Sequence, residues 1–119
     1  FGNLSVDLKQ HALRPLVMRI RTLALSAGIT ESHSLERIRE LEKRGELSAN
    51  LSQALQSAYD FIMLLKIRRN FITHENENLS GNEVSLKQLN PLEQRFLEES
   101  LKVILRLQDE VYARFGGIP

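Results

Sequence analysis

The stretch KIRRNFITHEN, residues 66–76, holds the side chains best suited to chemistry. Arg69, Asn70 and His74 stand in it as Arg-Asn-x-x-x-His. Histidine can move a proton near neutral pH, and arginine can hold a phosphate through its planar fork, so the pair could serve metal-independent RNA cleavage. In a straight helix, however, residues five apart point about 140° from each other rather than to one face. The competing reading places Arg69 as a pairing or capping group at the end of a helix bundle. His74 is then a last-turn residue favoured by the helix dipole. Two common residues at this spacing recur by chance in many helices, so the second reading is preferred.

Arg69 stands apart from ordinary surface charge because it falls on an apolar stripe, after Leu51, Leu55, Ala58, Ile62 and Leu65 and before Ile72. A guanidinium there must either be paired, with Asp7, Glu93 or another acid, or open onto a groove where it could grip a phosphate-bearing ligand. A second polar constellation is VDLKQHALRP, in which Asp7 and Lys9 precede a helix carrying Arg14 and Arg21. It reads either as a basic cup with an acid to orient it or as a surface salt-bridge cluster. The charges of RIRELEKR sit at helical separations typical of a solvated face.

Other chemistries find little support. His11, His33 and His74 lie on separate segments without metal-ligand spacing. Asp7, Asp60 and Asp109 form no Asp-x-Asp pair, Gly116-Gly117 is not a phosphate loop, and no serine stands in a nucleophile elbow. No metal or cofactor is therefore expected in this chain. The absence of cysteine excludes disulfides and Cys-ligated metals and fits a reducing, cytoplasmic setting. Sixteen basic against 15 acidic residues leave a formal charge of +1, which argues against a dedicated nucleic-acid binder. The longest strictly apolar run, Phe61 to Leu65, is far short of a membrane span.

The elements that would position these residues are helical. With 119 residues, 42% of them hydrophobic, the chain can build one domain around one core. Residues 1–10 read as an incoming extended segment, residues 11–115 as the bundle and residues 116–119 as a tail. The first helix is expected over about 11–27, with Pro15 tolerable only near its start and Gly28 closing it. A short second helix follows in TESHSLERIRELEKRG, capped by Ser32 or Ser34 and ended by Gly45. A third starts near Ser48 or Asn50, with Asn50 and Gln53 as a capping box, and runs to about His74, roughly 39 Å. After a polar connector pinned by Val84, Leu86 and Leu89, the fourth helix opens at NPLE, where Asn90 caps and Glu93 completes the box. Its expected apolar face is Phe96, Leu97, Leu101, Ile104, Val111 and Phe115. No strand-like alternation is evident. The expected fold is all-α, an antiparallel up-and-down bundle of three long helices and one short one.

The order of these pieces resembles a known family. VDLKQHALRPLVMRIRTLALSAGI, then SLERIRELEKRGELS, then a long helix ending LLKIRRN, then LNPLEQRFLEESLKVILRLQ is similar to the nucleotidyltransferase substrate-binding domain. That helical domain lies C-terminal to a nucleotidyltransferase domain in bacterial signalling proteins, often with cyclic-nucleotide-binding and CBS domains upstream, and is akin to the helical part of protein-PII uridylyltransferase. The resemblance covers about residues 6–115. It implies a non-catalytic bundle packed on a catalytic domain of the same polypeptide, which would bring Mg²⁺ and a nucleoside triphosphate. Starting at Phe1 without an initiator Met and ending RFGGIP, the chain reads as a piece of such a protein. The matching positions are Asp7, Lys9, Pro15, Arg21, Leu35, Arg37 and Arg69. By carry-over, Lys9, Arg21, Arg37 and Arg69 would face the nucleotide or a protein acceptor, with Asp7 beside them. The broader helical superfamily includes HEPN ribonucleases, in which Arg and His from two protomers act together; Arg69, Asn70 and His74 would be that site here. A bundle serving only structure or homodimerisation is the third possibility.

Overall fold

The computed structural model describes residues 5–75 and 83–116, with the side chains of 70–75 excluded. Within them lie four α-helices and one small sheet: β1 (Ser5–Asp7), α1 (Arg14–Ser26), α2 (Ser34–Lys43), α3 (Ala49–Glu75), β2 (Glu83–Ser85) and α4 (Pro91–Phe115). The fold is all-α apart from that sheet. At 1.5 Å per residue the 27 residues of α3 span about 40 Å, which sets the 43 Å long axis of the molecule.

The helix ends follow from specific residues. Gly28 and Gly45 adopt φ of +73° and +74°, the left-handed region that favours glycine. Each lets the chain double back: Ile29 N–H reaches the Ala24 carbonyl at 2.9 Å, and Glu46 N–H reaches that of Leu41 at 2.9 Å. At the start of α4, Asn90 accepts from Glu93 N–H while the Glu93 side chain accepts from Asn90 N–H, and Pro91 fills the first turn.

Two capping residues and one helix start differ from the sequence expectation, while α3 begins near Ser48 as expected. The N-cap of α2 is His33, whose Nδ1 accepts from Leu35 N–H, rather than Ser32 or Ser34. The start of α3 is capped by Ser48, whose hydroxyl accepts from Leu51 N–H, so Asn50 and Gln53 lie inside the helix and form no box. The first helical segment begins at Lys9 rather than near residue 11, because a π turn spans Lys9–Leu13 ahead of α1. Pro15 lacks the N–H that would bond to the His11 carbonyl, and its ring would crowd that carbonyl in an ordinary α-turn. The wider turn occupies the stretch where that strain would fall, so the proline is tolerated further into the helical run than its spacing suggested.

Within the expected extended lead-in, Ser5–Asp7 form one strand of a two-strand sheet. Ser5, Val6 and Asp7 pair antiparallel with Ser85, Val84 and Glu83. Three-residue strands carry too little alternation to be read from sequence. Pairing also brings Val84 into the core with Leu86 and Leu89, so the connector is pinned as expected.

The core runs through Leu16, Ile20, Leu23, Ile38, Leu41, Leu55, Ile62, Leu97 and Leu107, all essentially solvent-free. Helices α3 and α4 are antiparallel, since Arg68 near the end of α3 meets Glu93 at the start of α4, and Arg114 at the end of α4 reaches Glu46 just before α3. The buried stripe of α4 is Leu97, Ser100, Ile104, Leu107 and Val111. Phe96, expected in the core, is one helical position off that stripe and 49% exposed.

Replacing Asn90 with alanine removes the acceptor for Glu93 N–H. Thermal unfolding should show a loss of about 1 kcal/mol, roughly 3–6 °C in Tm for a chain of this size. A Tm equal to wild type would show that the cap contributes nothing.

Candidate functional site

The polar groups singled out in the sequence do not converge on one pocket; the densest set lies at the sheet end of the bundle. There the stretch 65–69 of α3 meets β2, the short turn Leu86–Gln88 and the start of α4. Arg68 faces outward and its Nη1 donates to Glu93 Oε2 at 2.6 Å. The Arg68 hydrogen bond, with help from Asn90 N–H, holds the Glu93 carboxyl below its ordinary range. Gln94 donates to the carbonyls of Leu86 and Leu89, fixing the turn against α4.

Arg69 turns inward. Its place on the stripe Leu51, Leu55, Ala58, Ile62, Leu65 carries it into the bundle, and it is only 5% exposed. Its Nε and Nη1 have no acceptor among the described residues. The residue lines a cavity of about 30 Å³ together with Leu65, Arg68, Val84, Gln88 and Leu89. Neither acid suggested as its partner serves it. Glu93 is engaged by Arg68, and Asp7 Oδ1 accepts from the backbone N–H groups of Lys9 and Gln10 at 3.0 and 2.9 Å. Burying a guanidinium without a counter-charge costs several kcal/mol, so this group is under an electrostatic demand the described residues do not meet.

The other predicted residues are distributed differently. Asp7 acts on its own backbone, capping the turn that follows, with no ion pair among the described residues. Lys9, exposed and without an ion pair among the described residues, shares the sheet end with Arg69. Arg21 is exposed but lies twelve residues further along, about 18 Å of helix rise from Lys9. Arg37 is half-buried, and its Nε donates to the Glu31 carbonyl at 2.7 Å, which fastens the α1–α2 loop. The side chains of Asn70 and His74 lie outside the described residues. Arginines not singled out do similar fastening: Arg44 ties α2 to the Ala27 carbonyl, and Arg114 grips Glu46 through its carboxylate and its backbone carbonyl. Nothing in residue type separates these structural arginines from a binding one; only the partner of each guanidinium does.

A second concavity, about 510 Å³, lies between α3 and α4. Its walls are Ala54, Ala58, Phe61, Phe96, Ser100 and Val103, with Glu99 at the side. Phe61 and Phe96 meet edge to face with centroids 5.7 Å apart. Leu64 and Leu92, both exposed, extend its apolar surface toward the sheet end.

Residues 2–115 are matched by the family described as "Putative nucleotidyltransferase substrate binding domain". The chain belongs to this family. No curated protein and no solved structure matches it. The family covers nearly the whole chain, including both strands, so the sheet end is part of the domain and not an appendage.

Among the described residues of this substrate-binding domain no group of three or more His, Asp or Glu side chains could hold a metal ion. No helix among the described residues is long and apolar enough to cross a membrane. What the arrangement offers is recognition: an inward-facing cation at Arg69, an exposed one at Lys9, and an apolar groove on the α3–α4 face.

Because the folded-state pKa of Glu93 is depressed, the stability it contributes is full above the ordinary carboxylate range and is lost as pH falls through the lowered value. Glu93→Gln should therefore lower Tm at neutral pH, and the gap from wild type should close as the pH is taken below the carboxylate range. Parallel Tm-versus-pH curves for the two proteins would contradict this.

Proposed function

We propose that this domain presents substrate to a nucleotidyltransferase domain of the same polypeptide, in a cytoplasmic bacterial signalling protein of the kind that carries CBS or cyclic-nucleotide-binding domains. The division of labour is physical. The catalytic domain would hold Mg²⁺ and the nucleoside triphosphate and transfer the nucleotidyl group. The bundle would supply a rigid surface and cations that fix the nucleotide or the acceptor, whether small molecule or protein, in reach of it.

Family membership supports the substrate-binding role. The observation that points to where is Arg69, a buried guanidinium with two unsatisfied nitrogens at the end that also exposes Lys9. Lys9 and Arg69 are accordingly the central contacts. Asp7 is a positioning residue that holds the backbone carrying Lys9. Arg21 would meet only the far part of a long substrate. Arg37 would take part only by giving up its bond to Glu31. The ribonuclease reading through Arg69, Asn70 and His74 needs Arg69 open to a polymer backbone, and a residue 5% exposed gives it no support.

The test is nucleotidyl transfer by the polypeptide that contains this domain. Lys9→Ala and Arg69→Ala should each raise the acceptor KM by about tenfold, equivalent to about 1.4 kcal/mol, the loss of one charge-assisted hydrogen bond. Transfer and substrate affinity unchanged in both variants would remove the assignment.

Self-association is a second reading with one specific observation behind it, the exposed Leu64, Leu92 and Phe96 around the α3–α4 groove. It requires a dimer in sedimentation that Phe96→Asp converts to monomer. A wild-type monomer at all accessible concentrations would dismiss it.

A further inference from the structure

The cavity at Arg69 defines its ligand more closely than the substrate-binding reading on which this inference rests. The guanidinium stays charged at any physiological pH, so its unsatisfied nitrogens call for an anion or for hydrogen-bond acceptors held in place. Charge, size and donor geometry narrow the choice. Arg68 and Glu93 neutralise each other at 2.6 Å, which leaves Arg69 as a single positive charge among the described residues that line the cavity. Leu65, Val84 and Leu89 make the remaining walls apolar, so a second negative charge would be buried without compensation. About 30 Å³ admits a group the size of one or two waters. A nucleoside triphosphate does not fit; a carboxylate head does. Gln88 adds a donor of the right sign. Its Oε1 accepts from Ser85 N–H at 3.3 Å, a bond that does not use its amide N–H groups, and the residue lines the cavity.

We propose that Arg69 and Gln88 form a binding site for a single carboxylate, inserted between β2 and the end of α3. The carboxylate belongs either to a free small acid or to an acidic side chain of an acceptor protein. In both cases Arg69 Nε and Nη1 and the Gln88 amide donate to its two oxygens, and the apolar walls exclude competing water.

Thermal unfolding of the full chain at constant ionic strength tests this, with sodium chloride as reference and three probes: sodium acetate, inorganic phosphate and a capped tripeptide bearing one glutamate. Acetate should raise Tm with a saturable dependence on concentration, as expected for a ligand that binds only the folded state. Phosphate should do no more than chloride. A peptide shift at lower concentration than acetate identifies a protein carboxylate as the source; an acetate shift with none from the peptide identifies a small acid. In an NMR titration the Arg69 Nε–H resonance should move with acetate. Arg69→Met should fold with a Tm at or above that of wild type in chloride, because replacing an unpaired buried charge by an apolar side chain removes a penalty. It should also lose the acetate response. Arg69→Lys keeps the charge without the fork and should lose most of that response.

Equal Tm values for wild type in acetate and chloride, or an equal response to phosphate, would overturn the carboxylate site. So would a severe loss of Tm in Arg69→Met, which would mean that an acid of the chain itself already pairs with Arg69. If the acetate response is absent while Lys9→Ala still weakens nucleotidyl transfer, only the carboxylate assignment fails. If the response is present while neither Lys9→Ala nor Arg69→Ala affects transfer, the site stands and the functional reading fails.

Discussion

Antiparallel packing of α3 on α4 is the frame to which the rest of the domain is attached. Two long amphipathic stripes bury one another through Leu55, Ala58, Ile62, Leu97, Ile104 and Leu107, and an arginine closes the pair at each end. At one end Arg68 holds Glu93, itself part of the cap of α4. At the other Arg114 holds Glu46 at the approach to α3. These exposed ion pairs add little energy individually. Their value is in register: each connects the start of one helix with the finish of the other, so the helices cannot slide without breaking both. Helices α1 and α2 then cover one side of the pair, and the opposite side keeps the apolar groove.

That frame explains why one arginine is buried beside one that is not. Adjacent positions on a helix differ by about 100°. Once register is set by Arg68 and Glu93, Arg69 must point into the bundle. The sheet and the Leu86–Gln88 turn then close over it. Among the described residues Arg69 alone carries a charge into the core, and no acid there answers it.

Much of the fold was legible because local chemistry agreed with periodicity. Gly28 and Gly45 end helices through left-handed turns that other residues avoid, and Asn90-Pro91-Leu92-Glu93 satisfies the first N–H groups of α4 with its own side chains. The stripe of α3 marked its buried positions almost residue by residue, including Arg69. Where several residues could play the same part, the sequence did not choose. Ser32, His33 and Ser34 are all able caps, and geometry selects His33. Asn50 imitates a cap, but Ser48 acts first. The sheet was invisible because its pairing joins distant segments and each strand is three residues long. The candidate site was least legible. Lys9, Arg21, Arg37 and Arg69 look alike as cations, yet among the described residues one is tied to a carbonyl, two have no ion pair and one is interior. Family resemblance named the domain, but the environment of each guanidinium is a property of tertiary packing.

The two-strand sheet has a kinetic consequence. It pairs Ser5 with Ser85, so closing it demands a loop that encloses most of the chain, whereas the contacts between successive helices are nearer in sequence. Loop-closure entropy places such a long-range pairing after the helices have docked. Val84, one wall of the Arg69 cavity, arrives with that pairing. The pocket is thus among the last features to form during folding and among the first to dissolve when the chain opens locally.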